Sequence, residues 1–147
     1  MKRAITFLAA SAALLTAGAA RAGDVSINLT DVQARGGRLL VALQTDDQFM
    51  RPAGFGEIVD NPQAGTVTVT FRDVPAGDYA VSVLHDLNGD GQMQTSDIGI
   101  PEEGWAKSNG AALRGPPTFD QVRVSVPSGG TQITEPMFYW DGQIPGQ

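Results

Sequence analysis

Residues 66–85 read Thr-Val-Thr-Val-Thr-Phe-Arg-Asp-Val-Pro-Ala-Gly-Asp-Tyr-Ala-Val-Ser-Val-Leu-His. Val67, Val69 and Phe71 alternate with Thr66, Thr68, Thr70 and Arg72. An apolar side chain at every second position gives a strand one greasy face, because successive side chains point to opposite sides. Val74-Pro75-Ala76-Gly77 then has Pro at the second turn position and Gly at the fourth, the chemistry of a type I turn. Residues 77–85 read as the next strand, so this reading expects a hairpin.

The same pattern recurs on both sides. Val25, Ile27 and Leu29 alternate with Ser26, Asn28 and Thr30. Residues 39–45 are apolar enough to form a central strand, and a short edge strand is expected near Glu57 to Val59. Val122, Val124 and Val126 alternate with Gln121, Arg123 and Ser125, after a long polar loop running to about Thr118. The last strand, residues 131–140, is interrupted by Pro136, which marks an edge or a bulge. Beyond the N-terminal leader no segment has a helical period. The expected fold class is therefore all-β, an antiparallel two-sheet sandwich of about seven strands.

Met1, Lys2 and Arg3 open the chain with positive charge, and residues 4–20 are uncharged and mostly apolar. Ala20-Arg21-Ala22 then places small residues where a signal peptidase reads them. That is the anatomy of a secretory signal peptide over residues 1–22, leaving residues 23–147 as a single periplasmic or secreted domain. A membrane helix needs about 20 solidly apolar residues, so no membrane insertion is expected once the leader is gone. The chain has no Cys, so no disulfide holds this domain. Removing Lys2, Arg3 and Arg21 leaves seven basic against sixteen acidic residues, a net charge of −9. A field of that sign repels phosphate backbones and gathers cations, which excludes nucleic acid as a partner.

The cation has an address. Residues 86–97 read Asp-Leu-Asn-Gly-Asp-Gly-Gln-Met-Gln-Thr-Ser-Asp. A twelve-residue calcium loop supplies oxygen ligands from positions 1, 3, 5, 7, 9 and 12 and turns sharply at a Gly in position 6. Those places hold Asp86, Asn88, Asp90, the Gln92 carbonyl, Gln94 (directly or through a water) and Asp97, with Gly91 at the turn. Turn chemistry alone explains Asn-Gly-Asp-Gly, but not acids at both ends of the loop. Position 12 is Asp, one methylene shorter than the usual Glu, so the loop must draw in further to use it. Zinc is disfavoured, because one His and no Cys cannot furnish its usual ligands.

Two resemblances attach to these residues. Phe71 to Val81 is similar to the F-x-x-[LV]-P-x-G-x-Y hairpin of prealbumin-like and carboxypeptidase-regulatory-like sandwiches, which implies that Tyr79 caps the core just past the turn. The loop resembles that of dockerin modules, where Asp at position 12 is usual. Its flanks differ, since a strand leads in and Ile98-Gly99-Ile100-Pro101 leads out. A longer pattern joins His85, Asp86, Asn88, Asp90, Gly91, Asp97, Gly99, Ile100, Pro101, Glu103, Gly104, Ser108 and Asn109 to the preceding Pro75-x-Gly77-x-Tyr79-Ala80. It resembles a secreted bacterial family catalogued as domain of unknown function 2141, from about Gly37 to Tyr139. That resemblance implies an exported β-sandwich without an assigned activity.

No catalytic or organic-cofactor residues are expected, and the chain reads as a calcium-binding module rather than an enzyme. Its further ligand would be a protein or a carbohydrate, with Trp105 either exposed for stacking or folded inward as a cap. The alternative is a small hydrolase using His85 with Asp86 or Glu103. Ser108 lies outside any Gly-x-Ser-x-Gly elbow, and Glu102 and Glu103 are adjacent rather than opposed.

Overall fold

The computed structural model describes residues 21–141. Of the expected leader, residues 1–20 lie outside the described residues, as do residues 142–147. Eight strands form: β1 (Gly23–Val32), β2 (Arg38–Gln44), β3 (Phe55–Asp60), β4 (Gly65–Val74), β5 (Gly77–Asp86), β6 (Gly104–Lys107), β7 (Arg123–Val126) and β8 (Gly130–Pro136). Among the described residues the only α-helix is the single turn Phe119–Val122.

The alternation of β1 and β4 is realised as cross-strand pairs. Val25, Ile27 and Leu29 lie opposite Phe71, Val69 and Val67, with the β1 trio fully buried. The other face carries a polar ladder, with the hydroxyls of Ser26 and Thr70 2.9 Å apart and Thr68 donating to Asn28 Oδ1 at 2.8 Å. Such paired side chains stabilise a sheet by roughly 0.2–1 kcal/mol each.

Two sheets result. One has the order β4-β1-β8, and the other runs β3-β2-β5-β6 with β7 also paired to β5. Their inner faces share one core, to which Ile27, Leu29 and Phe71 contribute from the first sheet and Leu39, Leu43 and Val81 from the second. The all-β expectation stands, with three corrections of detail.

First, β4 and β5 do not form a hairpin. They belong to different sheets, and Val74 to Gly77 crosses between the layers. Val74 and Tyr79 are both buried, and the Tyr79 hydroxyl donates back to the Pro75 carbonyl at 2.9 Å, pinning the corner. Phe55 then lies 6.1 Å from Phe71 of one sheet and 6.5 Å from Tyr79 of the other, ring centre to ring centre. The crossing thus lets one aromatic cluster bridge the two layers.

Second, the sheets are not wholly antiparallel, since β8 pairs with β1 in parallel register, Ile27 opposite Ile133. The turn at Ser128–Gly130 carries the chain from the five-stranded sheet to the edge of the other, which sets this direction. Gly130 has φ +85°, and a Cβ there would lie 2.0 Å from the Asp24 carbonyl oxygen. Third, the strand expected over residues 121–126 begins only at Arg123. A capping box forms instead, with Gln121 Oε1 accepting from the Thr118 amide at 3.0 Å, and holds one helical turn.

β6 and β7 share one edge of β5 end to end. β7 pairs with residues 77–80 and β6 with residues 82–85. The gap falls at Val81, where the buried Ser108 takes over. Its Oγ accepts from the Val81 amide at 2.9 Å and donates to the Val122 carbonyl, while its own amide donates to the Val81 carbonyl.

Candidate functional site

Asp86 is the last residue of β5 and lies directly opposite Arg38 of β2. Its side chain is fully buried. Arg38 Nε donates to Asp86 Oδ2 at 3.0 Å, Nη2 lies 3.0 Å from the same oxygen in an ion pair, and Nη2 donates to the Gly89 carbonyl at 3.0 Å. The other donors are the loop's own amides, Gly89 to Oδ1 at 2.8 Å and Gly91 to Oδ2 at 3.0 Å. Burial alone would push this carboxyl up; the Arg38 hydrogen bond, the two amides and the Arg38 charge outweigh it, and the net direction is down. Gly37 makes the approach feasible, because at its φ of +64° a Cβ would stand 2.4 Å from the Asp86 carbonyl oxygen.

The next ligand positions fold onto one another. Asn88 Oδ1 accepts from the Asp90 amide at 3.1 Å, and Asp90 Oδ1 accepts from the Gln92 amide at 2.9 Å. Asn88 Nδ2 and Gln94 Nε2 both donate to Asp90 Oδ2, at 3.1 and 2.5 Å. Gly89 and Gly91 have φ of +80° and +71°, backbone that a side-chain-bearing residue rarely adopts. Thus Asn88, Asp90, Gln92 and Gln94 form one hydrogen-bonded group, and Asp86 ties the loop's first turn to β2.

Asp97 stands apart. It occupies the tip of a small hairpin over residues 94–102, closed by the Thr95–Pro101 bridge and by the Glu102 amide donating to the Gln94 carbonyl at 2.8 Å. Ser96 tightens that tip, its Oγ accepting from the Ile100 amide at 3.1 Å. Asp97 is exposed and makes no hydrogen bond or ion pair with the described residues. Among the described residues, no three His, Cys, Asp or Glu side chains are gathered closely enough to hold a metal.

Glu103 is absent from the expected ligand set, yet it organises the loop. It is 3% exposed. Oε1 accepts from the Leu87 amide at 2.8 Å and Oε2 from the Gln94 amide at 3.1 Å, so one carboxylate staples the two ends of residues 87–94. The signal for it was an acid directly before the Gly104-Trp105-Ala106-Lys107 strand, a strand too short to stand out by its period.

The residues of the hydrolase alternative are engaged in structure. His85 is fully buried, with Nδ1 2.8 Å from the Tyr139 hydroxyl and Nε2 2.7 Å from the Gly36 carbonyl. A carbonyl only accepts, so Nε2 carries a proton, and in the neutral imidazole Nδ1 accepts from Tyr139. Tyr139 in turn lies against Gly104, where a Cβ would come within 2.2 Å of its ring.

A family model described as an uncharacterized protein conserved in bacteria (DUF2141) matches residues 27–134. The match runs from within β1 into β8 and spans the loop and Glu103. The chain belongs to this family. No curated protein and no solved structure gives a significant match to it.

In this DUF2141 chain the loop borders the outer face of the five-stranded sheet. Register aligns Ile58, Leu40, Leu84 and Trp105 across four strands, and Gly56, Ala42, Ser82 and Lys107 in the next row. Trp105 is neither loop-borne nor folded into the core. It is half-buried on the outer face of β6 and stacks on Phe138, centroids 4.8 Å apart and planes at 29°.

Proposed function

We propose that this chain is an exported, immunoglobulin- or prealbumin-like sandwich that binds one Ca²⁺ at residues 86–97 and acts as a binding or structural module. The observation that carries the reading is the loop's internal bonding. Side-chain oxygens at positions 1, 3 and 5 (Asp86, Asn88 and Asp90) each accept amides of the same loop. The backbone is thereby wound around the ligand positions. Asp86, Asn88, Asp90, the Gln92 carbonyl and Gln94 would hold the ion, and Asp97 would move in from its hairpin tip to complete the set. The ion would supply charge neutralisation and a clamp between residues 86 and 97, not chemistry.

Export is supported by the leader pattern and by β1 starting at Gly23, so cleavage after Ala22 leaves every strand whole. The prealbumin likeness is supported by the Tyr79–Pro75 corner. His85, enclosed and with both ring nitrogens taken, lends no support to the hydrolase alternative. A protein or a carbohydrate remains the candidate macromolecular partner.

Calorimetry on chelator-stripped mature protein tests the reading. One Ca²⁺ per chain is expected, in the range of about 10⁻⁴ to 10⁻³ M typical of extracellular modules. Asp86→Ala and Asp97→Ala should each abolish it, and Glu57→Ala should not. Absence of binding at millimolar Ca²⁺ would end the calcium reading.

A further inference from the structure

Beside the calcium-type loop, the outer face of β6 floors a cleft of ≈ 420 Å³, within the size range of roughly 300–1,000 Å³ usual for small-molecule sites. Its walls include Met50, Met93, Trp105, Leu113 and Pro117. Lys107 is the only charged side chain among the described residues that line it. An apolar cleft with a single cation, in a chain where acids outnumber bases sixteen to ten, is a selective arrangement.

The ammonium has capacity left. Nζ donates to Ser82 Oγ at 2.9 Å, and its other contacts are weak: the Met50 sulfur at 3.9 Å and the Phe49 ring, 5.1 Å to the centroid. No described carboxylate forms an ion pair with it. An ammonium carries three donors and no acceptor, so Lys107 makes one strong hydrogen bond of three. Burial shifts its pKa down, the direction expected of a cation that lacks a counter-charge.

We propose that this cleft binds a small amphipathic carboxylate, its anionic head on Lys107 and its apolar body between Met50, Met93, Trp105 and Leu113. Two methionines suit a flexible alkyl body, because the unbranched thioether adapts its shape to what it covers. The proposal rests on reading the chain as a binding module and names that module's ligand class. It does not need the calcium ion, although Met93 belongs to the segment the ion would clamp.

Octanoate and octan-1-ol test it on the unaltered mature protein, by calorimetry in Ca²⁺ and again in chelator. One octanoate per chain should bind at least tenfold more tightly than the alcohol, and Lys107→Met should erase that difference while alcohol binding persists. Equal affinity of the two probes for the unaltered protein, or no octanoate binding in either condition, would overturn the proposal. Octanoate binding in chelator without any Ca²⁺ binding would instead overturn only the calcium reading. Leu113→Asp sets a charge against the apolar body and should weaken both probes, and unchanged binding of both would overturn the proposal.

Discussion

Arg38 and Asp86 face each other across β2 and β5, and the guanidinium meets the buried carboxylate at 3.0 Å while also holding the Gly89 carbonyl. The residue that opens the calcium-type loop is therefore already neutralised by a cation from the sheet. Arg38 is 34% exposed, so the pair sits at a boundary, and water and salt weaken it less than they would a surface pair. This explains how the loop keeps its wound shape with carboxylates in it.

Replacing that cation has a measurable cost. In Arg38→Met, Asp86 keeps the Gly89 and Gly91 amides and loses its charged donor, a loss of about 1.5 kcal/mol. For a domain of about 125 residues that lowers the melting temperature by roughly 3–6 °C. Calcium should restore part of it, because the ion supplies the missing positive charge. Scanning calorimetry with and without Ca²⁺ reads both effects; a deficit unchanged by bound calcium would mean that Asp86 is not a ligand.

Acid should act through the same carboxyl. Asp86 has a folded-state pKa below its ordinary value of 3.8, so its contribution is present above that value and is lost as pH falls through the lower, folded one. Melting temperature should thus fall as the solution is taken below about pH 4. Asp78, lowered by its Ser125 hydrogen bond and by Arg123, adds to the same limb. Asp86→Asn should flatten that limb relative to the unaltered protein, and identical acid profiles would contradict the assignment.

Glu103→Ala tests the staple. It leaves the amides of Leu87 and Gln94 without their acceptor, at about 1–3 kcal/mol for each buried group that water does not reach. The sandwich core does not pass through these residues, so the damage should stay local. Hydrogen exchange should show Leu87 and Gln94 losing protection while Val41 and Val83 keep theirs. Uniform loss across the sheet would show that the loop and the core unfold as one unit.

Ser108→Ala should act on the sheet rather than the loop. It removes the acceptor of the Val81 amide at the gap between β6 and β7, a fully buried position. The expected loss is about 1–3 kcal/mol, read as a lower denaturation midpoint with an unchanged slope. Calcium affinity should not move.

What could be read in advance follows a physical line. Alternation in Val25–Leu29 and Val67–Phe71 declares the buried face of each strand, because period two is a local property. Partner choice is not local. The turn at Val74–Gly77 suits a hairpin and a sheet-crossing corner alike, and the corner goes with tertiary contacts such as those of Phe55 with Phe71 and Tyr79. β6 spans four residues, too few to show a period. In the loop, the calcium-type spacing is a local pattern that the sequence displays, whereas Glu103 acts from outside the twelve residues and on backbone amides, so no spacing points to it. Asp97 fits the spacing and yet stands off, because the Ser96 tip bonding competes locally with drawing it in.

The melting temperature of chelator-stripped mature protein, measured again at ten times the calcium Kd, tests the central claim most directly. Binding to the folded state alone adds about 1.4 kcal/mol at that concentration, which for this length raises the midpoint by roughly 3–6 °C. The account predicts that rise, lost in Asp97→Ala, with a cooperative sandwich in both conditions. A midpoint unmoved at millimolar Ca²⁺ would contradict it, and so would a stripped protein with no cooperative transition, since the core would then depend on the metal.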